Sequence, residues 1–161
     1  NTQASDEEVQ AIQHAVNELL GRIYTDKEGN KKSITLDDML FVAPYNFQVT
    51  KLKSVLGENA KLGSVDKFQG QEAPIVFFSL CASDANDSPR GMDFLFDKNR
   101  LNVANSRAQS LAIVVGNPNL MNCNASNIKQ QKLVNVFCQL INYAHECNGV
   151  DQKNNDFLNI A

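Results

Sequence analysis

Hydrophobic positions near the start of the chain recur at helical spacing. Val9, Ile12, Val16, Leu19 and Ile23 fall on one face, which predicts an amphipathic helix over roughly residues 6–24. The preceding Ser5-Asp6-Glu7-Glu8 has the form of a capping box, with serine at the N-cap and glutamate three residues later. Thr25–Ser33 is polar and reads as a solvated loop. Met39–Ala43 is a short apolar run ended by Pro44, the pattern of a buried strand, and a second helix follows from Asn46 to Leu56, stopped by Gly57. Leu62–Val65 is a further short strand. Pro74–Leu80 is continuously apolar, as expected of a strand covered on both faces. Residues 82–92 are rich in Ser, Asp, Asn, Pro and Gly and predict a loop. A helix over Asn99–Ala108 and a second apolar strand over Leu111–Val115, ending at Gly116, come next. Leu133, Val134, Phe137, Leu140, Ile141 and Ala144 mark a last amphipathic helix. Residues 1–4 and the polar tail after Gly149 are expected to be flexible.

Short apolar strands alternating with helices define an α/β domain, with a mainly parallel sheet between helical layers. The 161 residues suffice for one such domain with its own core. Composition adds little to this picture: 43% of residues are hydrophobic, 20% are charged and tryptophan is absent. No stretch approaches the roughly 18 apolar residues of a membrane span. The first ten residues are polar and acidic, unlike a signal peptide, so an intracellular, cytoplasmic location is expected. Cysteines at 81, 123, 138 and 147 are not spaced as zinc ligands, and His14 and His145 stand alone, so no metal site is expected. A net charge of −3 argues against nucleic-acid binding by bulk electrostatics, though not against a narrow track.

Two segments carry candidate chemistry. In Gly63-Ser64-Val65-Asp66-Lys67-Phe68-Gln69-Gly70-Gln71-Glu72, Gly70 permits close backbone approach beside the polar Gln69, Gln71 and Glu72. Amides there suit phosphate oxygens, and a carboxylate suits sugar hydroxyls. The same residues also make an ordinary turn with solvated neighbours. In Arg100-Leu101-Asn102-Val103-Ala104-Asn105-Ser106-Arg107-Ala108, Arg100, Val103 and Arg107 share a helical face. Its arginines could pair with phosphate, though on these residues alone a surface helix whose arginines meet carboxylates is the simpler reading.

Together, and in this order, the segments resemble motifs V and VI of superfamily 1B helicases. Val42-Ala43-Pro44-Tyr45-Asn46-Phe47-Gln48 is similar to the strand-to-helix segment before motif V, and Gly116-Asn117-Pro118 to the end of the strand after motif VI. The wording is nearest to the nonsense-mediated-decay RNA helicases and to bacterial helicases fused to RecB-like nucleases. The likeness runs from about residue 5 to residue 145.

The resemblance implies the second, C-terminal RecA-like lobe of a motor that binds ATP with Mg²⁺ between two lobes. Arg107 matches an arginine finger that reaches the γ-phosphate. Glu72 matches a ribose contact, with Gly70 and Gln71 lining the phosphates. Pro44, Tyr45, Ser64 and Lys67 fall in segments that touch single-stranded DNA or RNA. Partners implied are the N-terminal RecA-like lobe and a fused or associated nuclease, with travel in the 5′ to 3′ direction. Asn105-Ser106 departs from the family's usual Leu-Thr. No Gly-Lys pair of a phosphate-cradling loop occurs, Asp37-Asp38 precedes an apolar run instead of following one, and the adenine-stacking tyrosine-arginine motif is missing. The chain is therefore expected to be inactive alone. A stand-alone α/β nucleotide- or partner-binding module, or a lobe kept only as an interaction scaffold, are the alternatives.

Overall fold

The computed structural model describes residues 4–68, 70–81, 102, 106–117, 120, 127–146, 150–151 and 158–160. Helix α1 (Asp6–Leu19) buries Glu8, Val9, Ile12 and Val16, so the apolar stripe read from the sequence faces the core. The helix stops short of the expected residue 24. Gly21 adopts φ +81° and its amide bonds to the Ile34 carbonyl, turning the chain into a hairpin of β1 (Ile23–Thr25) and β2 (Lys31–Ser33). Ile23 is thus 63% exposed on a strand instead of buried on the helix.

The segment expected to be a loop contains this hairpin. Asp26 organises its tip: one carboxylate oxygen accepts from the amides of Glu28 and Asn30, at 3.1 and 2.7 Å. The other meets Lys32 Nζ at 2.7 Å. The Lys32 ammonium first, then the Asn30 amide, hold the Asp26 carboxyl down at about 2. Gly29 supplies the left-handed residue, φ +83°.

The main sheet has the order β4 (Lys61–Gly63), β3 (Met39–Val42), β5 (Ala73–Ser79), β6 (Ala108–Gly116), β8 (Leu158–Ile160), β7 (Val150–Asp151). Strands β3, β4, β5 and β6 are parallel, as the apolar runs predict. Helix α2 (Asn46–Leu56) connects β3 to β4 and packs against α1. Strand β6 begins at Ala108, three residues before the expected start, so the helical residues before it end at Arg107. An irregularity between Ala73/Ala108 and Ile75/Leu111 absorbs one extra β6 residue. Helix α3 (Ile128–Glu146) buries Phe137, Ile141 and Ala144. The tail expected to fray contributes β7 (Val150–Asp151) and β8 (Leu158–Ile160), with β8 antiparallel to both β6 and β7. The expected α/β, RecA-like architecture holds, with four parallel strands flanked by helices. The loop expected over 82–92, and most of the helix expected over 99–108, lie outside the described residues. No helix among the described residues is long and apolar enough to cross a membrane.

The core centres on β3 and β5, whose facing Phe41 and Phe77 stack at 5.0 Å. At the far end of the strands Gly116 lies against Leu80. A Cβ there would come within 3.1 Å of the Leu80 Cβ, and Leu80 is fully buried. Gly116→Ala should therefore destabilise the fold by about 1–3 kcal/mol through overpacking, read as a lower urea midpoint. An unchanged midpoint would show that Leu80 moves aside freely.

Candidate functional site

The sequence candidates divide between the two ends of the parallel strands. Glu72 and Arg107 stand immediately before Ala73 and Ala108, which are paired in register, so both residues sit side by side where β5 and β6 begin. Open α/β sheets usually bind ligands at the carboxyl ends of their strands. Gly70, Gln71, Glu72 and Arg107 instead gather at the amino ends.

Each of these side chains has a defined setting. Val65–Phe68 forms a 3₁₀ turn, and the Gln71 amide donates to the Phe68 carbonyl at 3.0 Å. Gly70 follows the turn with φ +83°, exposed and with open space where a Cβ would be. A left-handed residue is required there, so glycine is the natural occupant. The Glu72 side chain is 48% exposed. Its Oε2 accepts from Gln109 Nε2 at 3.3 Å and lies 3.9 Å from Lys27 Nζ of the hairpin tip. Arg107 is half-buried, and its Nε is buried without a hydrogen-bond partner among the described residues. A buried, unsatisfied guanidinium donor is uncommon and is the kind of group an anionic oxygen satisfies. Arg107 and the exposed Gly70 backbone can meet the anionic half of a nucleotide, and Glu72 its hydroxyls. Among the described residues no cluster of three His, Cys, Asp or Glu side chains is placed to hold a metal ion. Asp38 of the acidic pair is engaged locally, accepting from the Thr35 amide at 2.8 Å and from its hydroxyl at 2.9 Å. Gln69 and Arg100 lie outside the described residues.

Pro44, Tyr45 and Ser64 lie at the opposite, carboxyl edge. Val42 pairs with Gly63, and the Ala43 amide donates to the Gly63 carbonyl at 3.1 Å, which sets Pro44 beside Ser64. Tyr45 is only 6% exposed and belongs to the core, so its ring is not presented as a platform. Lys67 is exposed, but its ammonium turns back to donate to the Leu62 carbonyl at 2.7 Å. Its stem fills the space over Gly63. Among the described residues, the exposed aromatic group on this edge is Phe47, 61% exposed in the first turn of α2.

A buried polar cluster lies behind this edge. Helix α2 exposes Phe47 and buries Gln48 completely, the reverse of what hydropathy suggests. Gln48 Oε1 accepts from the Ser5 amide at 2.9 Å, and Nε2 donates to the Ser5 carbonyl at 3.3 Å and to Ser79 Oγ at 3.1 Å. The capping box is consequently half-formed. Ser5 Oγ accepts from the Glu8 amide at 3.2 Å, but the Ser5 amide goes to Gln48, and the Glu8 side chain turns into the core. There Glu8 Oε2 accepts from Ser79 Oγ at 2.5 Å and from the Cys81 amide at 3.0 Å. Burial pushes the Glu8 carboxyl up to about 7, against the opposing pull of Ser79 and the Cys81 amide. Cys81 itself adopts φ +59°, a conformation costing a non-glycine residue roughly 1–2 kcal/mol. Burial, then the Glu8 charge, push its thiol well up. Sequence reasoning misses Glu8, Gln48 and Ser79 as a group. The available signal is Ser79 inside an otherwise apolar run.

The parallel sheet and its flanking helices make this a P-loop NTPase-like α/β domain. Residues 1–119 match the family described as "AAA domain", and the chain belongs to that family. It is similar to "Probable RNA helicase armi" of Drosophila melanogaster, 36% identical over 99 residues, covering 56% of this chain and 8% of the relative. It also resembles "DNA polymerase alpha-associated DNA helicase A" of Schizosaccharomyces pombe, 42% identical over 85 residues, 51% of this chain and 12% of the relative. "Helicase sen1" of the same yeast is 32% identical over 123 residues, 69% of this chain and 6% of the relative. The chain spans about a tenth of the length of the curated relatives it matches.

Proposed function

We propose that this chain is the second, C-terminal RecA-like lobe of an ATP-dependent superfamily 1B helicase acting on DNA or RNA. The observation that carries the reading is the placement of Arg107, its buried Nε without a partner among the described residues, beside Glu72 at the start of neighbouring strands. In this reading Gly70 and Gln71 line the phosphates, Glu72 accepts from ribose hydroxyls, and Arg107 counters charge on the γ-phosphate. ATP with Mg²⁺, when bound, supplies the phosphoryl bond whose cleavage drives movement. The phosphate cradle and the Mg²⁺ ligands are assigned to an N-terminal RecA-like lobe of the full-length protein. A fused or associated nuclease and a cytoplasmic setting belong to the same proposal.

The carboxyl edge supplies part of the single-strand track. Pro44 and Ser64 line it, Phe47 adds an exposed ring on which a base can stack, and Lys67 and Tyr45 hold the backbone from behind. Strand β5 spans about 20 Å at 3.3 Å per residue, so nucleotide and nucleic acid contact opposite ends of one rigid sheet.

The test compares the isolated chain with the full-length protein. The isolated chain should not turn over ATP, and Glu72→Ala in the full-length protein should raise the KM for ATP roughly tenfold, the value of one or two hydrogen bonds to a charged group. Turnover by the isolated chain would sink the second-lobe assignment, and an unchanged KM would remove Glu72 from the site.

A further inference from the structure

The Glu8 cluster has no part in the reading above, yet it joins three elements at the edge assigned to nucleic acid. We propose that Glu8 is a positioning residue: its carboxyl group fixes the left-handed turn at Cys81 where β5 leaves the sheet. Through Ser79 and Gln48 it ties that turn to the first turn of α2, directly after Pro44 and Tyr45. The functional half of this inference rests on the reading of that edge as a nucleic-acid track.

The geometry supports it in three ways. Glu8, Gln48 and Ser79 are all almost completely buried, so the bonds among them are shielded from water. Cys81 holds an unfavourable φ, and the described bond that restrains its amide ends on Glu8 Oε2. Glu8 also forgoes the ordinary role of a glutamate at the third helical position, since the Ser5 amide it would cap is taken by Gln48.

The donor count makes the cluster responsive to protonation. Gln48 Nε2 donates to Ser79 Oγ, so the Ser79 proton is free to point elsewhere. With Glu8 ionised it points to Glu8 Oε2. With Glu8 protonated, the carboxyl can donate to Ser79 Oγ, and the Ser79 proton then turns to Cys81 Sγ, 3.2 Å away. Among the described residues, the charged groups around Glu8 offer it no free cation. On α1 Asp6 and Glu7 are acidic, on α2 Lys51 is held by Asp6 at 2.6 Å, just past β5 the Cys81 thiol is neutral, and β6 carries no charged side chain. The carboxyl, raised from 4.5 to about 7 by burial, therefore favours its proton in the folded chain. The stability it contributes is fully present below about pH 4.5 and is lost as pH rises through about 7.

The test uses the full-length protein, with amide exchange at Cys81 and affinity for a single-stranded oligonucleotide between pH 6 and 8 as readouts. Glu8→Ala should speed exchange at Cys81 and weaken strand binding several-fold, while Glu8→Gln, which keeps an acceptor, restores both. Wild-type affinity should fall as pH rises, because a carboxylate appears behind the edge that holds phosphates. Glu8→Gln should flatten that fall, which separates Glu8 from the two histidines. Should Glu8→Ala not fold, Ser79→Ala, which removes a bond that pulls the Glu8 carboxyl down, is expected to move that fall to higher pH, and an unmoved fall would overturn the proposal. Unchanged exchange at Cys81 in Glu8→Ala, or a wild-type pH profile in Glu8→Gln, would overturn the proposal. Absence of strand binding by the wild-type protein would overturn the helicase reading instead, and exchange at Cys81 would alone decide the role of Glu8.

Discussion

Arg107→Ala in the full-length protein should lower kcat for nucleic-acid-stimulated ATP hydrolysis by about 10³-fold or more, with nucleotide affinity only modestly weaker. The asymmetry follows from where the guanidinium acts. A group that meets charge developing on a transferring phosphoryl stabilises the transition state more than the bound ground state, so kcat suffers before Kd does. The half-buried setting strengthens the effect, because Arg107 Nε makes no compensating bond within the described structure. Lysine should rescue poorly: its single ammonium on a flexible stem does not reproduce the planar fork. Steady-state turnover together with equilibrium nucleotide binding checks both halves. Near-wild-type turnover in Arg107→Ala would remove the strongest support for a second-lobe role.

The largest stability effect is expected at the centre of the sheet. Phe77 is fully buried in β5 and stacks on Phe41 of the neighbouring strand, with ring centroids 5.0 Å apart. Phe77→Ala should cost about 3–5 kcal/mol, the sum of lost transfer energy and a cavity that rigid parallel strands cannot close. That is a large share of the 5–15 kcal/mol typical of a domain. Equilibrium urea unfolding measures it, and Phe77→Leu, which keeps most of the volume, should lose much less. A loss below about 1 kcal/mol for alanine would mean that the Phe41–Phe77 pair is not the centre of the core.

The sheet was legible in the sequence because its strands are continuous apolar runs. Met39–Val42 and Ala73–Ser79 appear almost where hydropathy places them. The β1–β2 hairpin was not, because both its strands are exposed and three residues long, leaving turn chemistry as the only signal. Asp26 and Gly29 carried that signal, but periodicity drew Ile23 into the preceding helix. The site was legible only in part. Wording and order pointed to Gly70, Gln71, Glu72 and Arg107, yet only strand register shows that Glu72 and Arg107 start adjacent strands. Glu8 was hidden for a physical reason: at the third position of a helix a glutamate reads as a cap. Its diversion into the core depends on Gln48 and Ser79, which lie 40 and 71 residues away.

Strand β4 closes one side of the sheet with only three residues, Lys61–Gly63. An open sheet border is ordinarily a template on which other chains can add strands. This one is short and opens with a lysine whose ammonium is anchored to the Asp37 carbonyl at 2.6 Å. Just past its end the Lys67 side chain folds back over Gly63. A foreign strand would find few free backbone groups and a positive charge at the entrance. The consequence is colloidal: concentrated solutions of the protein should resist fibrillar growth from this border.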